Sequence, residues 1–140
     1  METKNILDLL LLIVTSLGFI IALKQFGSYR EELKVRTFIE FRQRFKSDAI
    51  ILKILEALNS DNPNRIKEFP KYELYHFLGF YEELEKMYSL KQVSIEDIDY
   101  FFGYYFRHFM EITNFSNKSI HWKRAFNLYE QIKKEHSKAK

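Results

Sequence analysis

The chain has no cysteine, and only two prolines, four glycines and one tryptophan among its 140 residues. Without cysteine there is no thiol nucleophile, and a reducing compartment suits the composition. The glycines stand alone, so no phosphate-cradling loop is present. Neither Gly-x-Ser-x-Gly nor a base with an orienting partner can be found. Strand-like alternation bounded by hairpin turns is missing throughout, and so are linkers, internal repeats and low-complexity tracts. A net charge of only +3, with no readout motif, argues against nucleic acid as a partner.

Metal chemistry is also poorly supplied. His76, His108, His121 and His136 are scattered, and only His108 and Glu111 share a helix face at a usable spacing. A di-iron bundle needs two Glu-x-x-His pairs and two further carboxylates. The clusters Glu82-Glu83-Glu85 and Glu96-Asp97-Asp99 read as a solvated face and as a helix N-terminus that complements the dipole. No metal, no cofactor and no enzymatic activity are expected.

The sequence does hold one long apolar run. Ile6 to Leu23 is eighteen residues with Asp8 as the single charge, near one end. A helix of this length spans roughly 27 Å, close to the ~30 Å of a bilayer's hydrocarbon, and Lys24 can snorkel. A secretory signal peptide fits less well, because Glu2 offsets Lys4 and cleavage after Gly18 would leave Phe-Ile-Ile-Ala-Leu at the new terminus. A buried core helix is the other alternative, but so uniform a run is unusual in a small soluble domain. The expectation is a transmembrane anchor over residues 1–27 and an all-α helical domain over 28–140.

One basic residue, Lys4, precedes the run. Lys24, Arg30, Lys34, Arg36, Arg42 and Arg44 follow it closely. The positive-inside bias then puts the N-terminus outside and the remainder in the cytoplasm, at an inner (cytoplasmic) membrane. Within the anchor, Asp8, Leu11, Thr15, Gly18, Ala22 and Gln25 form an a/d-like stripe of mostly small or polar residues, with Gly18 and Ala22 as a small-xxx-small pair. Such stripes let helices approach in lipid, so a homo-oligomer is expected. Asp8 reads either as a headgroup-level residue or as a functional intramembrane acid.

About four helices are expected after the anchor. Ser28 and Glu31 have capping-box spacing, so a helix starts there or the anchor helix runs on. Val35, Phe38, Phe41 and Phe45 give the next stretch an apolar face, with Glu32–Arg36 and Glu40–Arg44 as i,i+4 pairs. Ser47-Asp48 marks a kink or a fresh N-cap before Ile50, Ile51, Ile54, Leu55 and Leu58. Asn59 to Asn64 is a loop, and Pro70 sits at the first position of a helix to about Tyr88. That helix carries Tyr72, Tyr75, Phe77, Leu78, Tyr81, Leu84 and Tyr88 on one broad side. Ser94 to Asp97 resembles a capping box opening a helix to about Thr113, with Ile98, Phe101, Phe102, Tyr105, Phe106, Phe109 and Ile112 as its stripe. A loop at Asn114–Lys118 precedes a last helix from about Ser119, through Trp122, Ala125, Phe126, Tyr129 and Ile132. The terminal lysines read as a frayed end.

Aromatic residues are 17% of the chain and lie nearly all beyond the anchor, so they are expected to build the core. Tyr100, Tyr104 and Tyr105 cannot all face inward from one helix, and at least one lines a groove or an interface. The juxtamembrane cations Arg30, Lys34, Arg36, Arg42 and Arg44 suit the anionic leaflet. A sharper reading has Arg36, Arg42, Arg107, Lys123 and Arg124 converging on a small anionic ligand.

Phe77-Leu-Gly-Phe-Tyr-Glu-Glu-Leu84, Val93-Ser-Ile-Glu-Asp97, Phe102-Gly-Tyr-Tyr-Phe106, His121-Trp122 and Asn127-Leu-Tyr-Glu130 resemble small bacterial single-pass membrane proteins of unknown function with a helical cytoplasmic domain. The resemblance covers most of the domain and the layout of the anchor. The chain departs from it in its Phe-rich composition and in the charged stretch Glu83 to Lys91. It implies architecture and location but no activity. A looser analogy is to small membrane effectors of bacterial anti-phage systems. The functional expectation is a membrane-anchored regulatory or effector module that binds a cytoplasmic protein or a small anionic ligand. The alternatives are a ligand-gated oligomeric effector and a passive scaffold.

Overall fold

A computed structural model describes residues 2–115 and 120–138. Ser116–Lys118 of the expected loop, the expected helix start at Ser119 and the last two residues of the tail lie outside the described residues. Among those described, the chain is helical and has no strand. The α-helices are α1 (Glu2–Ser47), α2 (Ala49–Leu58), α3 (Lys71–Ser89), α4 (Ile95–Ile98), α5 (Tyr104–Thr113) and α6 (Lys123–Lys138). Two 3-10 turns, Pro63–Glu68 and Ile120–Trp122, and a π-helical turn, Asp99–Gly103, complete the set.

This partition differs from an anchor plus about four helices in one place. The expected helix from Ile95 to Thr113 is divided by the π turn. Of the two readings of Ser28–Glu31, the one in which the anchor helix runs on holds. Contacts divide the chain into compact units at residues 1–37 and 38–140, a later boundary than the sequence suggests.

The first unit is helical from Glu2 onward, and its apolar side chains from Ile6 to Leu23 are all exposed. α1 is long and apolar enough to cross a membrane, and none of its apolar window is buried.

The second unit is built on aromatic packing. Its first residues, in the last turns of α1, bring Phe38 against Phe101, Phe41 against Phe80 and Phe45 against Phe102. Asp48 then stops α1. Its extended backbone and Oδ1, which accepts from the Ile50 and Ile51 amides at 3.0 Å, cap α2. Ile51, Ile54, Ala57 and Leu58 bury the inner face of α2. On α3 the buried side is Leu74, Phe77, Leu78, Phe80, Tyr81, Leu84 and Met87. Tyr72 and Tyr75 were expected on that side but are exposed, because they lie outside the arc that faces the core. Pro70 occupies the N-cap rather than the first helical position.

After α3 the chain makes a Schellman closure, with Lys91 N–H on the Tyr88 carbonyl and Gln92 N–H on the Met87 carbonyl. Lys91 takes the left-handed conformation there, at φ 55°. Ser94 caps α4 as its spacing suggests, accepting from the Asp97 amide. α5 ends on Asn114, also left-handed.

Tyr81 is the centre of the core. Its ring stacks on Phe106 at 3.8 Å and 6°. Its hydroxyl donates to the Phe102 carbonyl, 3.0 Å away in the π turn. Burial, and secondarily Tyr105, push the phenol well above its usual 10.0. It therefore keeps the proton that the Phe102 carbonyl needs.

Candidate functional site

The anchor stripe is placed as its spacing demands. Asp8, Leu11, Thr15, Gly18, Ala22 and Gln25 are all helical and exposed, and a 3.6-residue turn puts them on one face. Thr15 Oγ1 donates back to the Leu11 carbonyl at 2.7 Å. Its polarity is thus satisfied within its own helix.

Of the cations expected at an anionic ligand, Arg42, Arg107 and Arg124 each engage a different group. The Arg42 guanidinium carbon lies over Phe101, 3.9 Å from the ring centre, and its Nε has no partner among the described residues. Arg107 pairs with Asp99. Arg124 reaches Glu85 at 3.4 Å. Lys123 lines an open cleft with Phe126, Asn127 and Glu130, a set with no second cation. Lys34 pairs with Glu31 at 2.7 Å, and Arg30 and Arg36 are exposed. Arg44 pairs across to Glu83 on α3 instead of with Glu40.

The acidic cluster on α3 is not simply a solvated face. Glu82 accepts the Ala125 amide at 2.6 Å and so caps α6. Glu83 holds Arg44, and Glu85 takes both Ser89 and Arg124. Three adjacent carboxylates thereby tie α3 to the end of α1 and to α6. Asp99 is likewise engaged, by Arg107 and, at 3.8 Å, by His136. Gly103 makes room for this, because a Cβ there would collide with the Asp99 carboxylate. No group of three or more His, Cys, Asp or Glu among the described residues could hold a metal.

The most site-like feature is a cleft of about 200 Å³ lined by Arg44, Asp48, Ile51, His76, Gly79, Phe80 and Glu83. An ion pair and a histidine–carboxylate contact flank it. Arg44 donates to Glu83 at 2.9 Å, and His76 Nε2 lies 2.7 Å from Asp48 Oδ2. Burial raises the Asp48 pKa, but the Ile51 amide, His76 and the Ile50 amide together outweigh it and hold the carboxyl below its usual 3.8. An ionised Asp48 thus offers Oδ2 to His76 Nε2 across the cleft. The lining holds no hydroxyl or thiol nucleophile.

Gly79 is the telling residue here. It sits inside α3, where glycine costs about 1 kcal/mol relative to alanine, and an added Cβ would meet nothing within 4 Å. Packing therefore does not require it. Its effect is to leave the α3 backbone bare along the cleft wall. Gly79→Ala is expected to stabilise the domain by up to about 1 kcal/mol in urea unfolding, while narrowing the cleft. A decrease in stability would mean that the glycine is there for packing.

Asp48 gives a second measurable consequence. A carboxyl held low when folded contributes stability that is complete above 3.8 and is lost as pH falls through the lowered folded value. Asp48→Asn keeps a capping oxygen but carries no charge. Acid titration of its unfolding should lose this limb, with a shallower decline below pH 3.8 than the parent chain shows.

Sequence reasoning missed the Asp48–His76 pair, since a separation of 28 positions leaves no local trace. Only the glycine inside an otherwise good helix pattern was a signal. Comparison with protein-family models, with curated proteins and with solved structures finds no match for this chain.

Proposed function

We propose that this chain is a single-pass inner-membrane protein with its N-terminus outside, acting as a non-enzymatic regulatory or effector module that self-associates. The observation that carries the reading is the uncovered apolar stretch of α1, joined to a domain that has a packed apolar core of its own. In water such a stretch would leave many large side chains exposed, at ~25 cal/mol per Å². In hydrocarbon the same side chains need no cover. The excess of Lys and Arg after the stretch supports a cytoplasmic domain. The cleft over Gly79 supports a binding role for that domain, because a mid-helix glycine with no packing duty suits close approach of a ligand or partner to the backbone.

The test is topology. The full-length chain is expressed with a C-terminal tag in a bacterium, and membranes are washed with alkaline carbonate. The tag should stay in the membrane pellet and resist protease added to intact spheroplasts. A tag recovered in the soluble fraction, or digested from outside, would overturn the reading.

A further inference from the structure

We infer that a second copy of this chain docks in parallel along α1 beyond the lipid, on the face formed by Phe26, Tyr29 and Leu33. The inference rests on the self-associating anchor proposed above and extends its contact out of the membrane.

The face follows from helix geometry. At 100° per residue, the stripe Leu11, Thr15, Gly18 and Ala22 continues as Phe26, Tyr29 and Leu33 within an arc of about 80°. α1 is helical across the whole stretch, so no break rotates one half against the other. What changes along that arc is chemistry. Up to Ala22 the face is mostly small or polar, although lipid would accept bulky apolar groups. From Phe26 to Leu33 it is bulky and apolar, although water would favour polar ones, and Arg36 closes it at the next turn. The rest of residues 24–37 is polar, charged or glycine, apart from Val35.

Both halves are therefore wrong for an isolated helix and right for a helix contact. In lipid, close approach over small residues drives association. In water, burial of large apolar side chains does. Phe26 is 61% exposed, Tyr29 58% and Leu33 40%.

Charge complementarity selects a second copy as the occupant. Arg30 flanks the face on one side and Glu32 flanks it on the other. When two such helices lie parallel, the Arg30 edge of one meets the Glu32 edge of the other. An antiparallel pair would bring like edges together. Single-pass anchors inserted in the same sense can only pair in parallel.

Because the chain has no cysteine, any single introduced cysteine is its only thiol. Full-length Phe26→Cys, Tyr29→Cys and Leu33→Cys variants in native membranes, treated with a mild oxidant, should form several-fold more disulfide dimer than Gly27→Cys and Glu31→Cys on the opposite side. Arg30→Glu or Glu32→Arg should each reduce cross-linking through Tyr29→Cys, and the two combined should restore it. Gly18→Cys reports on the anchor itself. If it cross-links while the residues past Lys24 do so uniformly or not at all, the anchors associate and this inference fails, as it would if lipid headgroups covered the face. If Gly18→Cys gives no dimer either, self-association falls with it.

Discussion

Ile13→Arg combined with Leu17→Arg is expected to strip the full-length chain from membranes. Both positions are exposed in the middle of the apolar stretch, with no partner to take a charge. Each arginine near the centre of a spanning helix costs about 3 kcal/mol on an insertion scale. Two together are comparable with the whole gain from the leucines and isoleucines around them. Carbonate extraction should move the variant from pellet to supernatant, or cellular proteolysis should remove it. Leu7→Arg, near the end of the stretch, should be far milder because a long cation there snorkels to the headgroups. Equal retention of all three chains would mean that this segment does not enter the hydrocarbon.

Phe106→Ala should produce the largest effect inside the domain. Phe106 is fully buried, stacked on Tyr81 and edge-on to Tyr129. Truncating such a ring costs about 3–5 kcal/mol through lost transfer energy and the cavity left behind. A domain of this size has only about 5–15 kcal/mol in total. Thermal unfolding of the full chain in nanodiscs should fall by well over 10 °C, at about 4–8 °C per kcal/mol. A shift of a few degrees would mean that the neighbouring rings collapse into the gap.

Tyr81→Phe separates packing from hydrogen bonding at the same place. It keeps the stack but leaves the buried Phe102 carbonyl without its donor, at a cost of about 1–3 kcal/mol. The parent chain should also lose stability as pH rises beyond 10.0, because its phenol, raised when folded, ionises more readily once unfolded. Tyr81→Phe should lack that alkaline limb.

Much of the helical architecture was legible from local patterns. Ser94 caps α4 and Asp48 caps α2 because such caps depend on residues two or three positions apart. Ile98, Phe102, Phe106 and Phe109 are buried as their helical spacing implies. The π turn was not legible. It pairs Asp99 with Arg107 over Gly103 and offers the Phe102 carbonyl to Tyr81, and the last of these contacts joins residues 21 positions apart.

The candidate site divides in the same way. Composition and run length determined the long apolar helix, its orientation signal and the stripe along it. These depend on a single helix meeting its surroundings, and a 3.6-residue period fixes which side chains share a face. Only tertiary structure decided how the charges are spent. Arg44 takes Glu83 rather than Glu40, Glu82 caps a helix 43 positions away, and Arg107 and Arg124 are paired instead of converging on an anion. Sequence shows which charges are available, but a charge settles on the opposite partner nearest in space, and chain folding alone sets that distance.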